Sequence, residues 1–164
     1  DADRLVCAAF VLSLAGPPAL AGMAGVQMMK IEAQLASFDL PAVTRLQALK
    51  TGALIASAVE AGAILGKLPV EGRTGLRGYS RDVGLAFQIA DDLLDHEGDE
   101  AKMGKRLQKD AEAGKETFLS LLGVDRAREQ ARMLVNQALT HLNSYGAEAD
   151  LLRDIARFTL ERDR

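Results

Sequence analysis

From Leu76 to Leu94 the apolar residues Leu76, Tyr79, Val83, Phe87, Ala90 and Leu94 recur in steps of 3, 4, 4, 3 and 4. This is one stripe of an amphipathic helix, and it constrains the chain more than any other feature. A second set with helical spacing runs through Val124, Ala127, Ala131, Leu134, Val135, Ala138 and Leu142, and the last segment offers Leu151, Leu152, Ile155, Phe158 and Thr159. No segment sustains the alternation a half-buried strand requires. The expectation is an all-α chain with six or seven helices at roughly 2–14, 18–35, 41–65, 71–96, 116–121, 124–144 and 147–162. Pro17, Pro18, Pro41 and Pro69 fall between these stretches, where proline marks boundaries or first turns. Gly146, after Tyr145, suits a helix C-cap. The polar stretch from His96 to Glu116 has no apolar period and reads as a long loop.

Composition agrees with this pattern. Of 164 residues 48% are hydrophobic and 4% aromatic, with Ala and Leu dominant, which favours helices and a real core. The net charge of −3 points to neither nucleic acid nor an anionic membrane surface as partner. Cys7 is the single cysteine, so no intramolecular disulfide can form and a cytoplasmic setting is expected. No apolar run approaches the roughly 20 residues of a membrane span. The start, Asp-Ala-Asp without an initiator Met, reads as the middle of a longer protein. Cys7 is expected in the core, Met23, Met28 and Met29 as fillers between helices, and His141 as partly exposed.

The most informative segment is Phe87-Gln88-Ile89-Ala90-Asp91-Asp92-Leu93-Leu94-Asp95. On a helix Asp91 and Asp95 are one turn apart, Asp92 lies three residues before Asp95, and Gln88 lies one turn earlier on the same side. Three carboxylates on one stripe repel one another, and at the expected C-terminal end of the helix the macrodipole disfavours them further. Glu97, Asp99 and Glu100 add negative charge just beyond. A hard divalent cation relieves this, and magnesium takes one or two carboxylates together with waters and phosphate oxygens. The plain alternative is a solvated acidic helix end, in which His96 acts as a cation at the helix terminus.

A magnesium–diphosphate site also needs cations facing the phosphates. Lys50-Thr51 precedes Gly52 amid apolar residues, and Gly104-Lys105, Lys109-Asp110 and Gly114-Lys115 follow the acidic cluster. Lysine offers a point charge to phosphate, threonine a directional donor, and glycine close backbone approach. Taken singly, each lysine also fits a snorkelling or solvated side chain.

Taken together these residues resemble the trans-isoprenyl diphosphate synthases, the family of farnesyl and geranylgeranyl diphosphate synthases, with the bacterial short-chain branch the nearest. The resemblance runs from about Gly22 to the end, through Gly22-Met23-Ala24-Gly25-Val26-Gln27, Lys50-Thr51-Gly52-Ala53-Leu54-Ile55, Gly62-Ala63-Ile64-Leu65-Gly66, Gly84 through Asp95, Gly104-Lys105, Lys109-Asp110 and Gly114 through Phe118. It implies the C-terminal part, residues 1–164, of a single isoprenoid synthase-type helical bundle whose N-terminal half is absent from this chain. It implies that Asp91, Asp92 and Asp95 face Mg2+ and an allylic diphosphate, that Lys50 and Lys105 grip the leaving group with Lys115 nearby, and that Thr51 and Gln88 line the site where an allylic cation forms. The implied reaction joins the allylic diphosphate to isopentenyl diphosphate, head to tail, with release of pyrophosphate, in a homodimer.

Some positions depart from the family's pattern. Lys30 stands where an acid is usual, Leu49 where His is common and Gln108 where Gly is frequent. The family's first aspartate-rich motif is not in the chain. A non-catalytic or regulatory homologue and a plain helical interaction module are the alternatives; a class I terpene cyclase shares the fold, but its second metal motif is missing. Apolar helix faces meant for the other half of such a bundle would be bare, so these 164 residues alone are expected to be poorly soluble. A stable, monodisperse monomer in size-exclusion chromatography would count against a half-bundle.

Overall fold

A computed structural model describes residues 2–15, 51–102 and 118–162, and every described element is helical. Helix α1 is Ala2–Ala15, α2 is Ala53–Leu65, α3 is Thr74–Lys102, α4 is Phe118–Leu122, α5 is Val124–His141 and α6 is Asp150–Glu161. Single 3-10 turns, Glu71–Arg73 and Ala147–Ala149, lead into α3 and α6. The expected helix at 18–35 lies outside the described residues, as does the start of the one expected at 41–65.

The spine is α3, packed chiefly on α5. Leu76, Tyr79, Val83, Ala86, Ile89 and Leu93 of α3 meet Ala127, Ala131, Leu134, Val135 and Ala138 of α5, with Phe118, Leu142 and Ala156 closing the cluster. Ala86, Ala127 and Ala138 have no exposed surface, and their small side chains let the two helices approach closely. On α5 the expected stripe is buried apart from half-buried Val124. On α3 the core is rotated from the expected stripe: Ala86, Ile89 and Leu93 are buried, while Phe87 and Leu94 sit half-buried at its rim.

Two expectations about helix ends are corrected. The acidic cluster is not at the end of its helix, because α3 runs on to Lys102. Glu, Ala and Lys in this stretch are good helix formers, and Glu97 is bridged by Arg128 of α5. His96 is therefore inside a helix rather than a terminal cation, and the expected loop is helical up to Lys102; residues 103–117 lie outside the described residues. At the other boundary α5 ends at His141, and Gly146, with φ −79° and ψ −150°, is no left-handed cap. The turn after α5 is held from the tertiary structure. Arg153 of α6 donates through Nη2 to the carbonyls of Leu142 (2.9 Å) and Tyr145 (2.7 Å), and through Nη1 to that of Gly146 (2.8 Å). The end of α5 closes locally, with Leu142 N–H on the Leu139 carbonyl and Asn143 N–H on the Thr140 carbonyl, and Arg153 pins the turn that follows.

Two apolar faces stand uncovered among the described residues. On α1, Leu5, Val11 and Leu12 are exposed, as is Cys7, which was expected in the core. This helix packs mainly on α2, and one neighbour covers only one stripe. On α6 the side facing the core carries Ala156 and Thr159, so Leu151, Ile155 and Phe158 stay exposed. No described helix is long and apolar enough to cross a membrane.

Polar contacts tie α3 and the turn before it to α2 and α5. Glu60 of α2 accepts from Arg77 (3.0 and 3.1 Å) and Arg73 (3.2 Å). Its hydrogen bonds to Arg77, ahead of those to Arg73 and against the opposing effect of burial, hold the carboxyl below its ordinary value. Asp82, nearly buried, pairs with His141 Nε2 at 3.0 Å and Arg81 Nε at 2.9 Å. The expected partial exposure of His141 is observed.

Two glycines meet where the chain enters α2. A Cβ added to Gly84 of α3 would lie 2.9 Å from the Gly52 Cα, so nothing larger than hydrogen fits at Gly84 unless α2 moves. Gly84→Ala should push the start of α2 off α3 and lower stability by about 1–3 kcal/mol, as overpacking does, read as a lower denaturation midpoint in urea. A midpoint equal to that of the unaltered protein would mean the contact is loose.

Tyr79 buries its ring against α5 and donates its hydroxyl to the Leu152 carbonyl at 2.7 Å, joining α3 to α6. Burial pushes this phenol from 10.0 up to about 12. Its contribution is therefore whole below pH 10 and is lost as the pH rises toward about 12, because the unfolded chain ionises first. Tyr79→Phe should cost about 1 kcal/mol at neutral pH by removing a buried hydrogen bond between α3 and α6. It should also flatten the fall in stability across that alkaline window, measured by urea denaturation at several pH values.

Candidate active site

The candidate site lies along one face of α3. Gly84, Gln88, Asp91 and Asp95 follow one another at steps of 4, 3 and 4, so they occupy successive turns of a single stripe. This stripe faces away from the seam with α5, and its Gly84 end meets the segment before α2. Gln88 is buried, whereas Asp91 and Asp95 are exposed. The site therefore has a polar base within the bundle and two carboxylates one turn apart at its mouth.

Asp92, about 60° round the helix from Asp95, is the more sheltered of the three. It is half-buried, about 100° round the helix from Asp91, and its Oδ2 accepts the Phe118 backbone N–H at 3.4 Å. At least one of its oxygens thus faces the first residue of α4, where a carboxylate suits the unpaired N–H groups of a helix start. The three aspartates expected on one face divide into an exposed pair and one that also ties α4 to α3.

The Gly52–Gly84 contact brings a second expected segment to the stripe. Thr51 and Gly52 adopt a π-helical turn just ahead of α2, a local widening found often at functional sites. Gly84 lies one turn before Gln88, so the segment that carries the half-buried Thr51 meets the stripe at its Gly84 end. Lys50, Lys105 and Lys115 lie outside the described residues, as do Lys30, Leu49 and Gln108.

Among the described residues no three His, Cys, Asp or Glu side chains come together as a ready metal cage. The donor set still suits a hard cation that keeps its waters: Asp91 and Asp95 are oxygen donors, solvent-facing and one helical turn apart. Beside the stripe, a groove of about 180 Å3 between α3, α5 and α6 is lined in part by Leu93, Leu94, Arg128, Arg132 and Arg162.

Two features of the site have no local signal in the sequence. Arg162, at the far end of the chain, donates through Nη2 to Asp91 Oδ1 at 3.0 Å. Nothing in its surroundings, Glu161-Arg162-Asp163, marks it out. The Gly52–Gly84 approach joins two glycines already noted for other reasons, but their pairing is tertiary.

Comparison with known proteins gives a consistent result. The family model described as polyprenyl synthetase matches residues 19–155. The farnesyl diphosphate synthase of Escherichia coli (strain K12) is 36% identical over 173 residues, covering 100% of this chain and 55% of its own. A dimethylallyltranstransferase of Fischerella ambigua is 38% identical over 162 residues, covering 98% of this chain and 46% of its own. Among solved structures, an FPP/GFPP synthase from Zymomonas mobilis superposes with a TM-score of 0.82 at 47% identity, over 97% of this chain and 52% of that one. The geranyltransferase from Helicobacter pylori complexed with magnesium and isoprenyl diphosphate gives 0.74 at 25% identity, over 95% and 51%. The chain spans about half the length of the curated relatives it matches. With the family model covering most of its length and an all-α fold shared with these synthases, the chain belongs to the polyprenyl synthetase family.

Proposed function

We propose that the whole protein is a trans-prenyltransferase that condenses an allylic diphosphate with isopentenyl diphosphate to a short-chain polyprenyl diphosphate, and that this chain is the C-terminal part of its single helical domain. The observation that carries this reading is the exposed Asp91–Asp95 pair on α3, with Thr51-Gly52 held against the same stripe at Gly84. The relatives' names give the reaction class, and the magnesium and isoprenyl diphosphate of the Helicobacter pylori structure support the choice of ion and ligand.

In this reading Asp91 and Asp95, with Asp92 beside them, hold magnesium against the allylic diphosphate. The chemistry magnesium supplies there is charge neutralisation of the leaving group. Lys50, Lys105 and Lys115 add positive charge to the same phosphates and stabilise the pyrophosphate as the allylic C–O bond breaks. Thr51 and the buried Gln88 line the allylic end and orient the substrate. The apolar helices on either side keep water from the allylic cation. The double bond of isopentenyl diphosphate then forms the new C–C bond, and the proton lost to restore an alkene passes to the departing pyrophosphate. The proposed partners are the two diphosphates and a second copy of the protein as a homodimer.

The test is pyrophosphate release by the full-length protein from geranyl diphosphate plus isopentenyl diphosphate, with and without magnesium. Turnover should depend on magnesium, and Asp91→Ala or Asp95→Asn should lower kcat by roughly 10²–10³-fold, the usual cost of removing one group that stabilises developing charge. A folded full-length protein that releases no pyrophosphate would identify a non-catalytic homologue, with Lys30 the first residue to revert.

A further inference from the structure

Arg162 reaches the aspartate stripe from the end of α6. Its Nη2 divides between the Phe87 carbonyl at 3.2 Å and Asp91 Oδ1 at 3.0 Å. Its guanidinium carbon lies 3.8 Å from the centroid of the Phe87 ring. The burial of the pair is unequal: the arginine side chain is 11% exposed and the aspartate 52%. The cation is therefore the fixed member, held by ring and carbonyl, and the carboxylate is the member with freedom to be ordered. Phe87 and Asp91 are one turn apart, so a guanidinium seated on Phe87 presents its donor where only some Asp91 rotamers can meet it. Arg162 Nε is buried and has no hydrogen-bond partner among the described residues. Only Oδ1 of Asp91 is engaged by the arginine.

We infer that Arg162 is a positioning residue for metal binding: it holds Asp91 by one oxygen in a single orientation and leaves the other for a divalent cation. This rests on the proposed role of Asp91 as a metal-holding carboxylate, and deepens it. Groups that hydrogen-bond a ligating carboxylate orient it, and their loss commonly weakens metal binding by roughly 10–100-fold. The like charges of guanidinium and metal act in the opposite direction, so the sign of the effect separates positioning from competition.

The experiment is titration of the full-length protein with Mn2+ alone, following free Mn2+ by its EPR signal, for the unaltered protein, Asp91→Asn, Arg162→Gln and Arg162→Met. Asp91→Asn should remove one class of Mn2+ site. Arg162→Gln should weaken that same class by roughly 10–100-fold while circular dichroism shows unchanged helix content. Arg162→Met keeps an apolar stem on the Phe87 ring and should show the same weakening; it carries the test if the glutamine variant unfolds. Mn2+ binding unchanged or tighter in the folded Arg162 variants overturns the inference and leaves Arg162 a clamp between α6 and α3 or a competitor of the metal. Normal Mn2+ binding by Asp91→Asn would instead remove the metal-holding role of Asp91 itself, whatever Arg162 does.

Discussion

The alanine-lined seam between α3 and α5 sets the rotation of α3 about its own axis, and the candidate site follows from that rotation. Ala86, Ile89 and Leu93 turn inward against Ala127, Ala131 and Ala138. With a period of 3.6 residues, this turns Gln88, Asp91 and Asp95 away from the seam and leaves Phe87 and Leu94 between Asp91 and the seam. A larger residue at any of these alanines would shift the seam and with it the direction in which the carboxylates face. The site's geometry is thus a consequence of packing at positions that carry no chemistry.

Charge is handled in the same economical way. Acidic residues crowd α3 from Asp91 onward, and several meet a cation or donor on another element: Asp91 meets Arg162 of the chain's end, Asp92 the backbone of Phe118, and Glu97 Arg128 of α5. These contacts tie α4, α5 and the end of α6 to the helix that carries the stripe. They also leave Asp95 and one oxygen of Asp91 toward solvent, which suits an ion that arrives with its own waters and phosphate ligands.

Much was legible in the residues themselves. Helical spacing marked out the long helix of the aspartates and the Val124–His141 helix, and on the latter nearly every residue of the expected stripe is buried. The exposed pair Asp91 and Asp95 and the buried Gln88 share one face as the i, i+4 rule requires. The misreadings have a common cause. Helix ends and the choice between rim and core depend on partners distant in sequence. The C-terminal stretch of α3 is polar on all sides and offers no apolar period, yet it is helical with Arg128 bridging to it. Gly146 looked like a cap because nothing local shows Arg153 reaching back to the carbonyls of Leu142 and Tyr145. Leu151, Ile155 and Phe158 had the spacing of a core stripe and are exposed, since apolar period alone does not say which face has a neighbour.

The sequence by itself determined the helical class, the placing of the carboxylates on one stripe of one helix, and the family, because period and motif spacing are properties of the covalent chain. Only the tertiary structure decided that Asp92 turns to α4, that Gly52 and Gly84 bring the Thr51 segment to the Gly84 end of the stripe, and that Arg162 grips Asp91 from 71 residues away. Those contacts join residues far apart along the chain, and their partners are chosen by packing, which no local pattern encodes.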